Sequence, residues 1–303
     1  MKKLSIIFRN TSILALVLFC SGFQQLVAQD SSAVKEVKTK PVLKPVKSTF
    51  ESNWVLDNQT VMVAKKGTFE MDIQHRFGTV NNGYSDFFGL YAPSNIRIGF
   101  SYVIKNQLQL GAGFTKERIQ WDATVKYAII KQKVSGGSPV SVTFFGNTVI
   151  DTRAASNFVT FTDRISYFSE LMIARKINTK FSVQVAPSIS YFNNIPGYVD
   201  INGEIQPTME NAHIAIAAMG KYSLTPNMAL VANYDQPLTQ HVTNNPHPNI
   251  SLGLEMTTSN HTFQVFAGNA NSILPQNNNM YNQNDFTKGQ FIIGFNITRL
   301  WNF

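Results

Sequence analysis

Between Gly289 and Phe303 the chain places Phe291, Ile293, Phe295, Ile297, Trp301 and Phe303 at alternate positions, while Asn296, Thr298 and Asn302 occupy the other register. Side chains of a strand point alternately to its two faces, so this period of two predicts a strand with one oily and one polar side. The same texture recurs upstream. Thr68–Phe77 sets Phe69, Met71 and Ile73 against Glu70, Asp72, Gln74 and Arg76, and Phe181–Tyr191 sets Phe181, Val183, Val185, Ile189 and Tyr191 against serines, Gln184 and Ala186. Further strands are predicted at Asn95–Lys105, Gln107–Arg118, Gln120–Lys133, Val140–Ile150, Thr162–Ile177, Asn211–Leu224, Asn227–Asp235, Asn249–Thr258 and His261–Asn269. Helical periodicity is weak throughout.

About twelve strands result, many near the roughly 9–11 residues a tilted membrane-crossing strand needs. Connections alternate in length. Those at Asn106, Ser135–Pro139, Asn178-Thr179, Thr225-Pro226 and Ser259-Asn260 are short; those at 78–94, 151–161, 194–210, 236–248 and 270–288 are long. The brief excursion near Lys116–Trp121 departs from this rhythm. Short turns at one end and long loops at the other mark an outer-membrane barrel. A soluble β-sandwich also alternates, but with shorter strands and no such rhythm. The expected fold is therefore all-β, an antiparallel transmembrane β-barrel of about 12 strands.

The N-terminus adds a compartment. Lys2, Lys3 and Arg9 precede a short apolar run, Ile13 to Phe19, and Leu26-Val27-Ala28 forms a cleavage motif. This reads as a signal peptide over residues 1–28, with export to the cell outer membrane. Phe19 before Cys20 argues against lipoprotein processing. Loss of the leader removes the single cysteine, so disulfide and thiol chemistry are not expected. Residues 29–66, with Lys35, Lys38, Lys40, Lys44, Lys47, Pro41 and Pro45, read as a periplasmic segment before a barrel over 67–303.

Composition agrees with a membrane barrel. Charged residues are 15% and aromatics 12%, against about 25% charged in ordinary soluble proteins. The net charge of +8 is concentrated in the leader and the lysine-rich segment, without the interleaved aromatics of a nucleic-acid surface, so no nucleic-acid partner is expected.

Phe50-Glu51-Ser52, Asp57 to Val61, Gln74 to Gly78, Asn95 to Gly99, Arg164 to Phe168 and Ala174-Arg175-Lys176 resemble a family of bacterial outer-membrane-type β-barrel proteins, domain of unknown function 5777. The resemblance runs from about Phe50 to the chain end. It implies a fold and a location, and lends no substrate. The last strand, with Trp301 and Phe303, also resembles the segment read by the barrel-assembly machinery, which would be a partner along with outer-membrane lipid. Arg299 departs from that pattern where a hydrophobic residue is usual.

Catalytic chemistry is not expected. The five histidines, His75, His213, His241, His247 and His261, lie in no nucleophile motif, and no Gly-x-Ser-x-Gly elbow occurs. His241 and His247 lack a carboxylate at ligand spacing, so neither metal nor cofactor is assigned. The charges on the polar strand faces carry the functional expectation: Glu70, Asp72, Arg76, Arg97, Arg164, Glu170 and Lys176 should point into the lumen. There they would either set the selectivity of a passive pore for small polar solutes, or form a salt-bridged filling in a structural barrel that engages another envelope protein. Gly111-Ala112-Gly113 sits within a strand, and its small residues make room on the inner side. Gln276 to Asp285 reads as an exposed loop, and Trp54, Trp121 and Trp301 as interface markers.

Overall fold

Residues 44–302 are described by the structure, a computed structural model. The leader, Cys20, the lysines before Lys44, and Phe303 of the expected assembly signal lie outside these residues. Two short strands come first, β1 (Trp54–Val55) and β2 (Asn58–Gln59). Twelve long strands then form the wall: β3 (Thr68–Thr79), β4 (Asn95–Lys105), β5 (Leu108–Thr115), β6 (Gln120–Ile130), β7 (Ser141–Asp151), β8 (Ile165–Lys176) and β9 (Phe181–Phe192), then β12 (Ala212–Thr225), β13 (Met228–Pro237), β14 (Asn249–Thr257), β15 (His261–Gly268) and β16 (Ile292–Asn302). Between β9 and β12 a hairpin, β10 (Gly197–Val199) and β11 (Ile205–Pro207), projects from a loop.

Each wall strand pairs antiparallel with its neighbours in sequence, and β16 pairs with β3 to close the barrel. No wall strand is left with an unpaired edge, the condition for backbone to cross hydrocarbon. Pro187 in β9 tests the rule locally. It has no N–H to give, and the β8–β9 register skips Leu171 and Met172 beside it, while Pro187 still pairs with Ile216 across the β12 side.

The period of two sorts side chains as the pattern predicts. In β8, Ser166, Phe168, Glu170, Met172 and Ala174 are buried, while Tyr167, Leu171 and Ile173 are exposed on the outer wall. Exposed Leu230, Leu254 and Val265 run in one row across β13, β14 and β15. Trp121 beside Phe114, and Trp301 beside Phe69, put aromatic pairs near opposite ends of the wall. Trp54 departs from its expected interface role. It lies inside the barrel, 4% exposed, because it belongs to no wall strand.

The segment expected as a lead-in outside the barrel instead enters it. Residues 49–61 are buried but for half-buried Glu51, and β1 and β2 form a hairpin in the lumen. Phe50, Val55, Leu56 and Val61 pack against inward-facing Phe145, Phe168, Met172, Ala217, Val231 and Phe266. The stem is held at the short-turn end. There Pro45 bridges Lys133, and Val46 donates to the Gln132 carbonyl.

The opposite mouth is covered by the β15–β16 loop. Its helix α1 (Pro275–Tyr281) is buried from Pro275 to Met280, which corrects the expectation of an exposed loop. The polar composition suited solvent, but the barrel mouth is itself polar. Asn277 donates to Gln120 of β6, Asn279 to Ser188 of β9, and Asn282 to Asn249 of β14. A seven-residue helix is too short to hold itself in water, so these contacts and Pro275 at its first turn carry it.

Leu254→Arg, in the middle of the lipid-facing row, is expected to cost about 2–4 kcal/mol. Ile201→Arg, fully exposed in the β10–β11 hairpin, should stay within about 0.5 kcal/mol. Denaturant unfolding of the refolded protein in lipid vesicles measures both. Equal effects at the two positions would contradict the lipid-facing assignment.

Candidate functional site

The lumen is an ion-paired interior shared between wall and hairpin. Arg97 of β4 is the centre of one cluster. Its Nη1 donates to Asp72 of β3 at 2.6 Å, and Nε and Nη2 grip both oxygens of Asp122 of β6 at 2.9 and 2.8 Å. Space for the guanidinium comes from Gly99 and Gly113, since a Cβ on either would collide with its nitrogens. The room expected at Gly111-Ala112-Gly113 is thus filled by an arginine. Trp54 of the hairpin lies beside it, its ring 5.7 Å from the Arg97 carbon.

A second cluster grips the hairpin tip. Arg76 of β3, with no exposed surface, donates from Nε and Nη2 to one oxygen of Asp57 at 3.1 and 2.9 Å. Ser251 of β14 donates to the other oxygen. Leu56 at the tip adopts a left-handed backbone, φ 55°, which costs a non-glycine residue on the order of 1–3 kcal/mol. The wall clamps it there. Gln264 of β15 accepts from its N–H, and Asn296 of β16 and Arg76 donate to its carbonyl.

Lower in the lumen, Asn53 bridges Lys126 of β6, at 3.2 Å, and Glu70 of β3, at 2.6 Å. Glu51 pairs with Lys221 of β12 at 2.7 Å, and Glu255 of β14 lies 3.9 Å from the same ammonium. Two wall glutamines hold hairpin backbone with both ends of their amides. Gln184 takes the Val61 N–H and gives to the Gln59 carbonyl; Gln264 takes the Leu56 N–H and gives to the Trp54 carbonyl. A cavity of about 20 Å³ beside Arg97, Glu70 and Lys126 has room for about one water. A larger pocket of about 720 Å³ opens at the short-turn end beside Met62 to Lys66.

Of the seven charges expected in the lumen, Glu70, Asp72, Arg76, Arg97 and Glu170 are buried on inner strand faces. Arg164 and Lys176 sit at the two ends. Arg164 belongs to a 3₁₀ turn before β8, fixed by a Thr160–Asp163 capping box, so it escapes the strand register. It donates to the Asp151 and Arg153 carbonyls and stacks on Phe158. Lys176 donates to the carbonyls of Lys47 and Ser48, holding the hairpin stem. Sequence reasoning missed Asp57, Asp122, Lys126, Lys221, Asp235 and Glu255. Strand parity placed Asp122 and Lys126 opposite Val125 and Tyr127, so those two were readable. Asp57 was not, because nothing local marks its hairpin as internal.

At the long-loop mouth His241 faces His213, not His247. The rings stack with His213 Nδ1 2.9 Å from His241 Nε2. The Glu210 N–H donates to His241 Nδ1, so the His241 proton sits on Nε2 and is given to His213. Among the described residues no group of three metal-ligating side chains occurs.

Replacing Arg97 by Leu leaves Asp72 and Asp122 without the cation that pairs them, with an expected loss of about 3–5 kcal/mol. Changing all three to apolar residues should recover most of it. Unfolding in vesicles checks the pair, and an undisturbed single variant would refute the cluster's role. Burial also holds His241 below its ordinary value, against a smaller opposing effect of Glu210. The unfolded loop then takes up a proton more readily than the folded one, so loop stability falls as pH drops through about 6.5. Faster intrinsic-corrected hydrogen exchange across 238–248 at pH 5 than at pH 7.5 is expected; equal rates would contradict it.

Among solved structures, the chain is similar to the NanC porin, at 10% identity over 78% of this chain and 99% of that one, TM-score 0.46. The KdgM porin matches at 10% over 76% and 98%, TM-score 0.46. An outer-membrane channel from Pseudomonas putida F1 matches at 10% over 79% and 97%, TM-score 0.48. No curated protein matches the chain in sequence. The family model described as a membrane bound beta barrel domain, DUF5777, matches residues 50–301, and the chain belongs to that family.

Proposed function

We propose that the protein is an outer-membrane channel for small polar solutes, plugged in the conformation described, which opens when residues 49–63 leave the lumen. The observation that carries this reading is the hairpin of β1 and β2, buried in the lumen and bonded to strands around the wall. The short-turn end faces the periplasm on the usual barrel orientation. The plug precedes the first wall strand and both of its ends lie at that mouth, so the hairpin can withdraw on that side without passing between wall strands.

The wall itself favours a lumen that is sometimes wet. Its inner face carries Gln74, Gln109, Asn147, Ser190 and Asn233, each with a buried polar atom that has no protein partner. Buried ion pairs are often no better for stability than well-packed apolar residues of similar volume. A barrel filled once and for all would be served as well by an apolar interior. A polar one suits an aqueous path.

Gln184→Ala with Gln264→Ala removes plug-to-wall bonds without altering charge. Each backbone N–H left unpaired in the plugged state costs about 1–3 kcal/mol, so the open fraction should rise on the order of a hundredfold. Planar-bilayer recordings should show rare conductance steps in the native protein and frequent ones in the double variant. If the double variant keeps its heat-modifiable gel mobility and gives no steps, the barrel is an occluded structural element and the channel reading fails.

A further inference from the structure

The tip of the plug offers the wall a carboxylate, and the wall receives it as a binding site would. Asp57 presents one oxygen to Nε and Nη2 of Arg76 and the other to the Ser251 hydroxyl. Apart from Asp57 and the Leu56 carbonyl, the groups that hold Arg76 in place belong to the wall. Asn296 and the His75 carbonyl accept from Nη1 at 2.9 and 3.0 Å, and the Phe266 ring lies 4.6 Å from the guanidinium carbon. The receptor is therefore preorganised on β3, β14, β15 and β16 and persists when the plug is gone.

Arg97 makes the contrast. Both of its carboxylates, Asp72 and Asp122, are on the wall, so plug withdrawal leaves it fully paired. Arg76 loses Asp57, its one ion-pair partner among the described residues. The residue after Asp57 extends the likeness to a ligand: the Asn58 amide donates to the Asp235 carboxylate of β13. The plug tip thus shows the wall a carboxylate followed by a hydrogen-bond donor.

We infer that Asp57-Asn58 is a built-in stand-in for the solute, and that Arg76 and Ser251, with Asp235 opposite, bind a small monocarboxylate carrying a hydroxyl or amino donor. This rests on the channel reading above and names its solute class. Such a solute competes with Asp57 for Arg76 and so favours the withdrawn plug. Asp235 accepts the donor and repels a second negative charge, which disfavours dicarboxylates.

The full-length protein in lipid nanodiscs tests this with three small probes at matched ionic strength. Lactate carries both groups, propionate lacks the hydroxyl, and lactamide lacks the charge. Plug release is read from acrylamide quenching of Trp54, with Trp121 and Trp301 replaced by Phe, and from open probability in bilayers. Lactate should raise both; propionate should need at least a tenfold higher concentration, and lactamide should do nothing. Arg76→Gln in the Gln184→Ala/Gln264→Ala background should still open but lose the lactate response. If that background opens and lactate acts no better than lactamide, the solute assignment is wrong while the channel stands. If no variant opens although all fold, the channel reading falls and takes the assignment with it.

Discussion

A closed wall in hydrocarbon can turn its polar side chains only inward, and inside they must find partners. That constraint governs the whole molecule. The outer rows of Leu, Val, Ile and aromatic residues leave Glu70, Asp72, Gln74 and Arg76 of a single strand no other place to go. A lumen of this width, emptied, would be satisfied by water. Here protein replaces it, the hairpin of residues 54–59 from one end and helix α1 from the other. Both are short, and neither has a strand ladder or helix length able to sustain it alone. Their order is borrowed from the wall's hydrogen-bonding demand.

Two arginines of the wall answer that demand differently, and the difference organises the site. Arg97 is neutralised by wall carboxylates, kept close by the missing side chains of Gly99 and Gly113, and so belongs to the scaffold. Arg76 is neutralised by Asp57, its one ion-pair partner among the described residues, and so its pairing is tied to where the plug stands. A buried guanidinium without a counter-charge is costly, which makes the plugged state favourable and leaves Arg76 wanting an anion once the plug moves. On the channel reading, one ion pair holds the gate and the other holds the barrel.

The wall was legible in the sequence to within three residues at each strand end. Asn95–Lys105 was expected at its observed bounds, and Phe181–Tyr191 falls one residue short of the observed Phe181–Phe192. A period of two is written by the contrast between lipid and lumen at every position, so it survives without knowledge of partners. The filling was not legible for the same reason. Trp54, Asp57 and Asn277 bond to residues more than 100 positions away, and no local period announces such contacts. Polarity misled at α1 because asparagines suit a wet loop and a polar lumen equally well. Arg164 misled because a 3₁₀ turn ends the register one residue before β8 begins.

The two closures also differ mechanically. The β15–β16 loop is tied at both ends and cinched at its base, where Asn269 and Asn284 donate to each other's carbonyls at 2.8 and 2.9 Å. Moving α1 outward would break this clamp and the bonds to β6, β9 and β14 while both ends stay fixed. The plug is also held at both ends, by its run into β3 and by the contacts of Pro45 and Val46 with the end of the β6–β7 hairpin, but both anchors lie at the short-turn mouth. Displacing the hairpin toward that mouth costs bonds to the wall while both anchors stay in place, and the vacated groups are wetted as it goes. On the channel reading, the lumenal hairpin is then the moving part, and the helix at the far mouth narrows the path that remains.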